Sequence, residues 1–586
     1  MAKSPTSKAT TNKTTTKRPK AASGMRKGLT AYGDPGFSLF LRKAFIKAAG
    51  FSDDALDRPI IGITDTSSDY NPCHGNVRAL VEAVKRGVML SGGLPFAFPT
   101  VSIHESFSNP TSMFLRNLMA MDTEEMVRAQ PMDAVVLIGG CDKTVPAQLM
   151  GAASADVPAI QLITGPMLVG HYKGEVLGAC TDCRRLWAMH RAGKIDEAEI
   201  EAVSQRLAPT VGTCMVMGTA STMGCLVEAL GMALPHTGTI PATHADRIRA
   251  AEASGREAVK LAASGRKPRD VMTQASLRNA MVVLQAIGGS TNAVVHLAAV
   301  AGRLGLTWDL DELDRIGREV PVLLDLKPAG SNYMEHFHWS GGVPRLLKEL
   351  KEHLDLDAPT VTGERLGDWA ERAEEVPGQT IIRSLGQPLK KTGAHAVLRG
   401  SLAPGGAVIK AAAATPKLMV HTGRAVVFED VEDMTNRIDD PDLDVTADDI
   451  LVMRNAGPKG HPGMPEAGLL PIPKKLAQQG VTDMIRISDA RMSGTAFGTI
   501  VLHVAPEAAV GGPLALVKTG DRITLDVPKR VLKLHVDAKE LAARRKTWKA
   551  PAPHNGSDRG YTGLFHKEVL QADEGVDFGF LGPAKS

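Results

Sequence analysis

From Arg58 onward, short β-type runs alternate with helical patterns, and this alternation confines the chain to layered α/β architectures. Pro59–Ile63 reads as a buried strand, the polar loop TDTSSDYNPCHG follows it, and Asn76–Leu90 has helical apolar spacing with Asn76 at the N-cap position. The same order recurs with Asp133–Ile138 as a strand, Gly139–Lys143 as a turn and a helix opening near Pro146. VGTCMVMG, followed by a helix over Ser221–Leu234, makes a third such unit. Beyond about residue 385 the text becomes Gly/Pro-punctuated and β-rich (GAHAVLRGSLAPGGAVIKAAA, RAVVFED, ITLDVP, VLKLHVD), which predicts an antiparallel barrel or sandwich. Helical patches such as Asp537–Lys546 interrupt it.

The expected fold class is therefore α/β. A large N-terminal α/β domain with a mainly parallel sheet spans 29–384, and a smaller C-terminal β-barrel-like domain spans 385–586. A chain of 586 residues is too long for one compact domain, which agrees with this division. After Lys549 the stretch reads as irregular, yet it carries Tyr561, Phe565 and Phe578, which predict that it packs. Glycine is abundant at 58 residues while aromatics are 4%, a balance that suits tight loops around a site more than a thick aromatic core.

Residues 1–28 are Lys/Ser/Thr-rich, lack acids and have no apolar core segment, so they read as a disordered basic tail rather than a secretory signal. The net charge of +4 is small, and no basic stripe elsewhere is interleaved with aromatics, which argues against nucleic acid as a partner. No apolar run is long enough to span a bilayer, so no membrane partner is expected. Six cysteines in so long a chain do not make a disulfide framework; they suit a reducing, cytoplasmic setting in which thiols are free for metals or catalysis.

Three of those cysteines share one kind of position. Cys73 lies in a loop between a strand and a helix, Cys141 at the carboxyl end of a strand, and Cys214 just before a Gly/Ser/Thr-rich helix start. Ligands of open α/β sheets bind outside the carboxyl ends of strands, and helix N-termini favour anions there, so thiolates or a sulfide cluster fit these places. Cys225 sits in an apolar helical run and reads as core, and the C-x-x-C of Cys180 and Cys183, lacking a second pair, reads as ordinary. Asp142 and Lys143 stand beside Cys141. A hard carboxylate next to a soft thiolate points to two different metals side by side, while a lysine cannot ligate a metal as an ammonium.

GGCDKTVPAQLMGAAS (Gly139–Ser154) and ISDARMSGTAFG (Ile487–Gly498) closely resemble the two hallmark motifs of the dihydroxy-acid and sugar-acid dehydratase family, which includes phosphogluconate dehydratase. NPCHGN, HESF, GTCMVMGTASTM, AIGGSTNAVVHL and AGPKGHPGMPE also occur in that family's order, and the likeness runs from about Arg26 to the C-terminus. Cys73, Cys141 and Cys214 are 68 and 73 residues apart, as in the sugar-acid branch. The resemblance implies that these three cysteines ligate an iron–sulfur cluster with one iron position open to substrate. It further implies that Glu105, Asp142, Lys143 (as a carbamate) and Glu466 surround Mg2+, and that Ser493 is the general base. Three thiolates fit either a [4Fe-4S] with one bare iron or a [2Fe-2S] lacking its usual fourth cysteine, and the sugar-acid branch favours [2Fe-2S].

The reaction implied is removal of water from a sugar acid (an aldonate) to give the 2-keto-3-deoxy acid, by loss of the C2 proton and the C3 hydroxyl. DRGYTGLFHKEVLQADEGVDFGFL and KRGVMLSGGLPFAFP look like the sugar-acid branch. Ser290 and Thr291 of GGSTN, which should open a helix, and His461 of PKGHPGMPE are the candidate substrate contacts. The family also implies a homodimer or homotetramer. Two other readings compete: a dihydroxy-acid dehydratase of branched-chain amino-acid biosynthesis, and a non-enzymatic iron–sulfur protein, against which the carboxylates and Ser493 count.

Overall fold

The computed structural model describes residues 23–552 and 558–583. Four strands, β1 (Ile60–Asp65), β2 (Leu94–Pro99), β3 (Ala134–Gly139) and β4 (Ala159–Ile163), form an all-parallel sheet in the order β2-β1-β3-β4. Helices Val77–Leu90, Ser112–Ala129 and Thr144–Ala155 make the crossovers that parallel pairing requires. Strand order reverses between β1 and β3, so the crevice outside their carboxyl ends is the topological switch point of the sheet. Both strands are buried almost end to end, as a sheet covered on both faces demands. Behind it, helices Val77–Leu90 and Ala245–Ser264 cross so closely that a Cβ on Gly87 would stand 2.0 Å from the Glu252 carbonyl oxygen.

The N-terminal region is therefore α/β with a parallel sheet, as the alternation predicts. Local outcomes differ in two places. The Asn76 side chain does not cap its helix; its Nδ2 donates to the carbonyls of Thr164 and Ala242, tying the helix start to two distant loops. VGTCMVMG forms no strand. Apart from an isolated bridge between Pro166 and Thr213 it is irregular, because Gly212 takes φ +127° and the chain turns there rather than extending. The helix after it runs over Thr219–Ala229. A small hairpin, β5 (Gly170–Tyr172) with β6 (Glu175–Leu177), precedes helix Thr181–Arg191.

The remaining strands are β7 (Ala396–Leu398), β8 (Gly406–Ile409), β9 (Val420–Phe428), β10 (Ile450–Met453), β11 (Arg486–Ser488), β12 (Ile500–Ala505), β13 (Arg522–Asp526) and β14 (Val531–Leu534). They form one sheet in the order β14-β13-β9-β10-β11-β12-β8-β7. A bridge between Arg399 and Val531, with the Leu532 N–H donating to the Arg399 carbonyl at 2.8 Å, brings the two edges together into a nearly closed barrel. The expectation of antiparallel pairing holds only at the flanks. β9 to β12 pair parallel, because helices Val431–Arg437 and Lys474–Gln478 and long loops carry the chain back between them. Alternate residues such as Ala425, Val427, Ile450, Val452 and Ile487 fill the interior.

The C-terminal stretch leaves the barrel and packs on the N-terminal region. It contains helix Gly560–Glu568, which the irregular reading missed. Phe565 and Phe578 pack with Phe114 and Val295, and Arg116 donates to the carbonyls of Gly575 and Val576. At the other end, most of the basic tail lies outside the described residues; of its last residues, Gly24–Arg26 form a turn in which Gly24 N–H donates to the Asp133 carboxylate. Among the described residues no helix is long and apolar enough to cross a membrane.

Candidate active site

The first two thiols emerge at the switch point. Cys73 sits in the short turn Pro72–His74 after β1, and Cys141 follows β3 by two residues. Their loops are locked together by His74, whose Nε2 accepts from the N–H groups of Gly140 (3.0 Å) and Cys141 (3.1 Å) while Nδ1 bonds the Thr66 carbonyl. Burial lowers the His74 pKa to about 4, so the ring is neutral and free to accept. Thr164 Oγ1 donates to the Cys73 carbonyl, and a Cβ on Gly140 would fall 1.7 Å from that same hydroxyl. Only glycine fits before Cys141.

Cys73, Cys141 and His104 place ligand atoms within 4.8 Å of one another. A hydrogen bond to Cys141 and burial push the Cys73 thiol well up. Cys214, in the irregular loop before helix Thr219–Ala229, is half-buried and is raised by its hydrogen bond to Cys180 and by burial. Thiols so placed hold their protons unless a cation compensates them. Cys225 is fully buried in the core, as its apolar setting predicts.

Beside the thiols, Glu105, Asp142 and Glu466 place carboxylate oxygens within 4.8 Å of one another. Glu105 opens a short turn before helix Ser112–Ala129, Asp142 follows Cys141, and Glu466 comes from the loop after β10. Lys143, fully buried, lies 2.6 Å from Asp142 Oδ2 and 3.5 Å from Glu105 Oε2. Burial and Arg491 work against its charge, yet the carboxylates of Asp142, Glu105 and Glu466 outweigh them and raise its pKa. Arg491, 1% exposed, reaches Glu105 Oε1 (3.0 Å), Glu466 Oε1 (2.6 Å) and Thr111 Oγ1 (2.6 Å). Against the cost of burial, Arg491 and Lys143 with the Ser112 and Thr111 hydroxyls hold Glu105 well below the carboxylate range, whereas burial leaves Glu466 raised. Three carboxylates compensated by two cations form a donor set that fits a divalent, oxygen-preferring ion.

Ser493 lies two residues beyond Arg491, half-buried, with its Oγ 2.9 Å from Thr495 Oγ1. Thr181 Oγ1 donates to the Thr495 carbonyl, and Arg184 Nε approaches Thr495 Oγ1 at 3.4 Å. Lys410, buried without a carboxylate partner, donates to the Gly494 carbonyl at 3.1 Å, and burial lowers its pKa to about 7. A Cβ on Gly494 would strike Ser290 at 2.6 Å, so the serine loop lies flat on GGSTN. Ser290 Oγ bonds Thr219 Oγ1 at 2.9 Å, Thr291 precedes helix Asn292–Leu304, and Asn292 Nδ2 reaches Glu466 Oε1 at 3.4 Å. His461 lies half-buried in the turn leading to Glu466.

The sequence reading left out His104, Arg491 and Asn292, and it read Cys180 as ordinary. The first three sit inside motifs already singled out (HESF, RMSG, GGSTN), and only their contacts show what they do. A groove of about 510 Å3 beside the site is lined by Arg184, Trp187, Phe497 and Arg486, and Arg184 joins it to the Thr495 hydroxyl.

Residues 58–369 match the dihydroxy-acid/6-phosphogluconate dehydratase N-terminal family model, and residues 380–576 match the C-terminal one. The chain is 46% identical over 554 residues to L-arabinonate dehydratase of Rhizobium leguminosarum bv. trifolii, covering 94% of this chain and 95% of the relative. It is 45% identical over 534 residues to 6-deoxy-6-sulfo-D-gluconate dehydratase of Pseudomonas putida (90% and 91% covered). Identity to dihydroxy-acid dehydratase of Acetivibrio thermocellus is lower, 38% over 542 residues (91% and 96% covered). With the family models matching over both regions that build the site, the chain belongs to the dihydroxy-acid/6-phosphogluconate dehydratase family and is a dehydratase, a hydro-lyase.

Proposed function

We propose that the protein dehydrates an aldonate to its 2-keto-3-deoxy acid, using an iron–sulfur cluster on Cys73, Cys141 and Cys214 and Mg2+ among Glu105, Asp142, Glu466 and a carbamylated Lys143. The observation that carries this reading is the abutment of two donor sets, thiols and carboxylates, joined at the adjacent residues Cys141 and Asp142. When bound, a cluster supplies Lewis acidity toward the departing C3 hydroxyl, and magnesium supplies positive charge for the substrate carboxylate. Carbamylation, in which the Lys143 ammonium gives up one proton, CO2 adds to the resulting amine and a second proton leaves, turns a cation 2.6 Å from Asp142 into a further oxygen donor.

The chain's own residues do the rest. Ser493 Oγ, as the alkoxide, takes the C2 proton and becomes the hydroxyl, oriented by the Thr495 hydroxyl at 2.9 Å. Lys410 holds the loop through the Gly494 carbonyl. Arg491 keeps Glu105 and Glu466 converged, and Arg184, at the wall facing Thr495, suits a polyhydroxylated acid better than a branched aliphatic one. The higher identity to relatives named for arabinonate and sulfogluconate than to those named for dihydroxy acids supports the same substrate class. A [2Fe-2S] centre, a cytoplasmic location and a homodimer or homotetramer complete the proposal.

Its test is keto-acid formation by anaerobically reconstituted protein with magnesium, from arabinonate, xylonate, gluconate, glycerate and 2,3-dihydroxyisovalerate. Turnover of one or more aldonates is expected. No product from any of them sinks the proposal, and turnover confined to dihydroxyisovalerate replaces it with the branched-chain reading.

A further inference from the structure

We infer that Cys180 is a fourth, displaceable thiolate of the iron–sulfur centre, sharing an iron with Cys214 until substrate takes its place. This rests on the cluster proposed above. Cys180 Sγ lies 3.8 Å from Cys214 Sγ. Two thiolates at ~2.3 Å from one tetrahedral metal ion stand about 3.8 Å apart, so the pair already spans one edge of such a site. Cys73 and Cys141 form a second pair, with sulfurs within 4.8 Å. Two pairs of thiols are what a [2Fe-2S] centre with four cysteines uses, one pair to each iron.

The position of Cys180 explains why this ligand must leave. It caps helix Thr181–Arg191, and the next residue, Thr181, bonds the Thr495 carbonyl in the loop that carries Ser493. A permanent ligand there would stand where substrate has to meet the serine. Cys183 lies one turn along the same helix, outside the two thiol pairs. The exchange is redox-neutral. With the centre bound, release of Cys180 would leave both bonding electrons on its sulfur, and a substrate hydroxyl would bring its own lone pair to the vacated position.

Mössbauer spectra of the oxidised, 57Fe-reconstituted protein test this, with and without L-arabinonate, alongside C180A, C180S and C183A. Substrate-free wild type is expected to show two ferric sites in equivalent all-sulfur surroundings. C180A and C180S are expected to show one site moved out of that environment, wild type with arabinonate should acquire the same inequivalence, and C183A should resemble wild type. Inequivalent sites in substrate-free wild type, or a wild-type spectrum unchanged by a substrate that is turned over, overturn the role of Cys180 while leaving the dehydratase proposal intact. The wild-type comparison needs no variant to fold. Protein that takes up no iron and sulfide overturns both.

Discussion

The parallel sheet of the N-terminal region and the C-terminal barrel deliver site residues by the same device but contribute opposite chemistry. In each, two adjacent parallel strands point their carboxyl ends at the site: β1 and β3 lead to Cys73 and Cys141-Asp142-Lys143, β10 and β11 lead to Glu466 and Arg491–Ser493. The sheet supplies Cys73, Cys141 and two carboxylates, which are acceptors in need of cations, while Cys214 joins them from an irregular loop. The barrel supplies a buried guanidinium, one carboxylate and a hydroxyl. Neither set is complete alone, and Arg491 is the seam, since one guanidinium grips Glu105 from one region and Glu466 from the other.

The sheet's share is broken most completely at Cys141. C141S is expected to abolish cluster retention and turnover together, whereas C225S, altering a buried core thiol, retains iron; iron and sulfide analysis after desalting checks both. On the barrel's side, S493A should leave iron content unchanged while kcat falls by about 10²–10⁴-fold, the usual worth of a general base. Substrate-binding measurements on S493A should show affinity kept, which separates lost chemistry from lost structure.

The seam itself is tested by R491M, which strands Glu105 and Glu466. Breaking buried pairs of this kind costs about 3–5 kcal/mol. A fall in unfolding free energy of that size, partly recovered by added magnesium, is expected; recovery by sodium chloride alone would contradict a specific ion site. The last effect is graded and concerns acid. Burial depresses His395, just before β7, and His503, within β12, to about 3 each, against about 6.5 when exposed. Their neutral forms favour the folded barrel, so this stability is full above pH 6.5 and is lost as pH falls from there toward 3, by up to about 1.4 kcal/mol per histidine per unit. Thermal melts across that window should show the loss, and H395Q/H503Q should flatten it.

Much of this was legible beforehand because it is local. The strand at Ile60–Asp65, the turn at Cys141 and the helix behind each arise from apolar period and turn chemistry within some twenty residues. The unit at VGTCMVMG misled because its apolar run resembles a strand, while Gly212 at positive φ turns the chain aside. The barrel misled in direction, since strand propensity carries no information about which neighbour a strand meets. Cys180 looked ordinary because Cys214 lies 34 residues away, beyond two intervening helices.

By itself the sequence determined the α/β layering, the positions of Cys73 and Cys141 after strand ends and the family motifs, all of which depend on spacing along the chain. Only the tertiary structure decided that β9 to β12 run parallel, that Arg491 joins the two regions and that Cys180 stands beside Cys214. These are contacts between distant segments, and their geometry follows from how whole layers pack rather than from any local preference of the residues that make them.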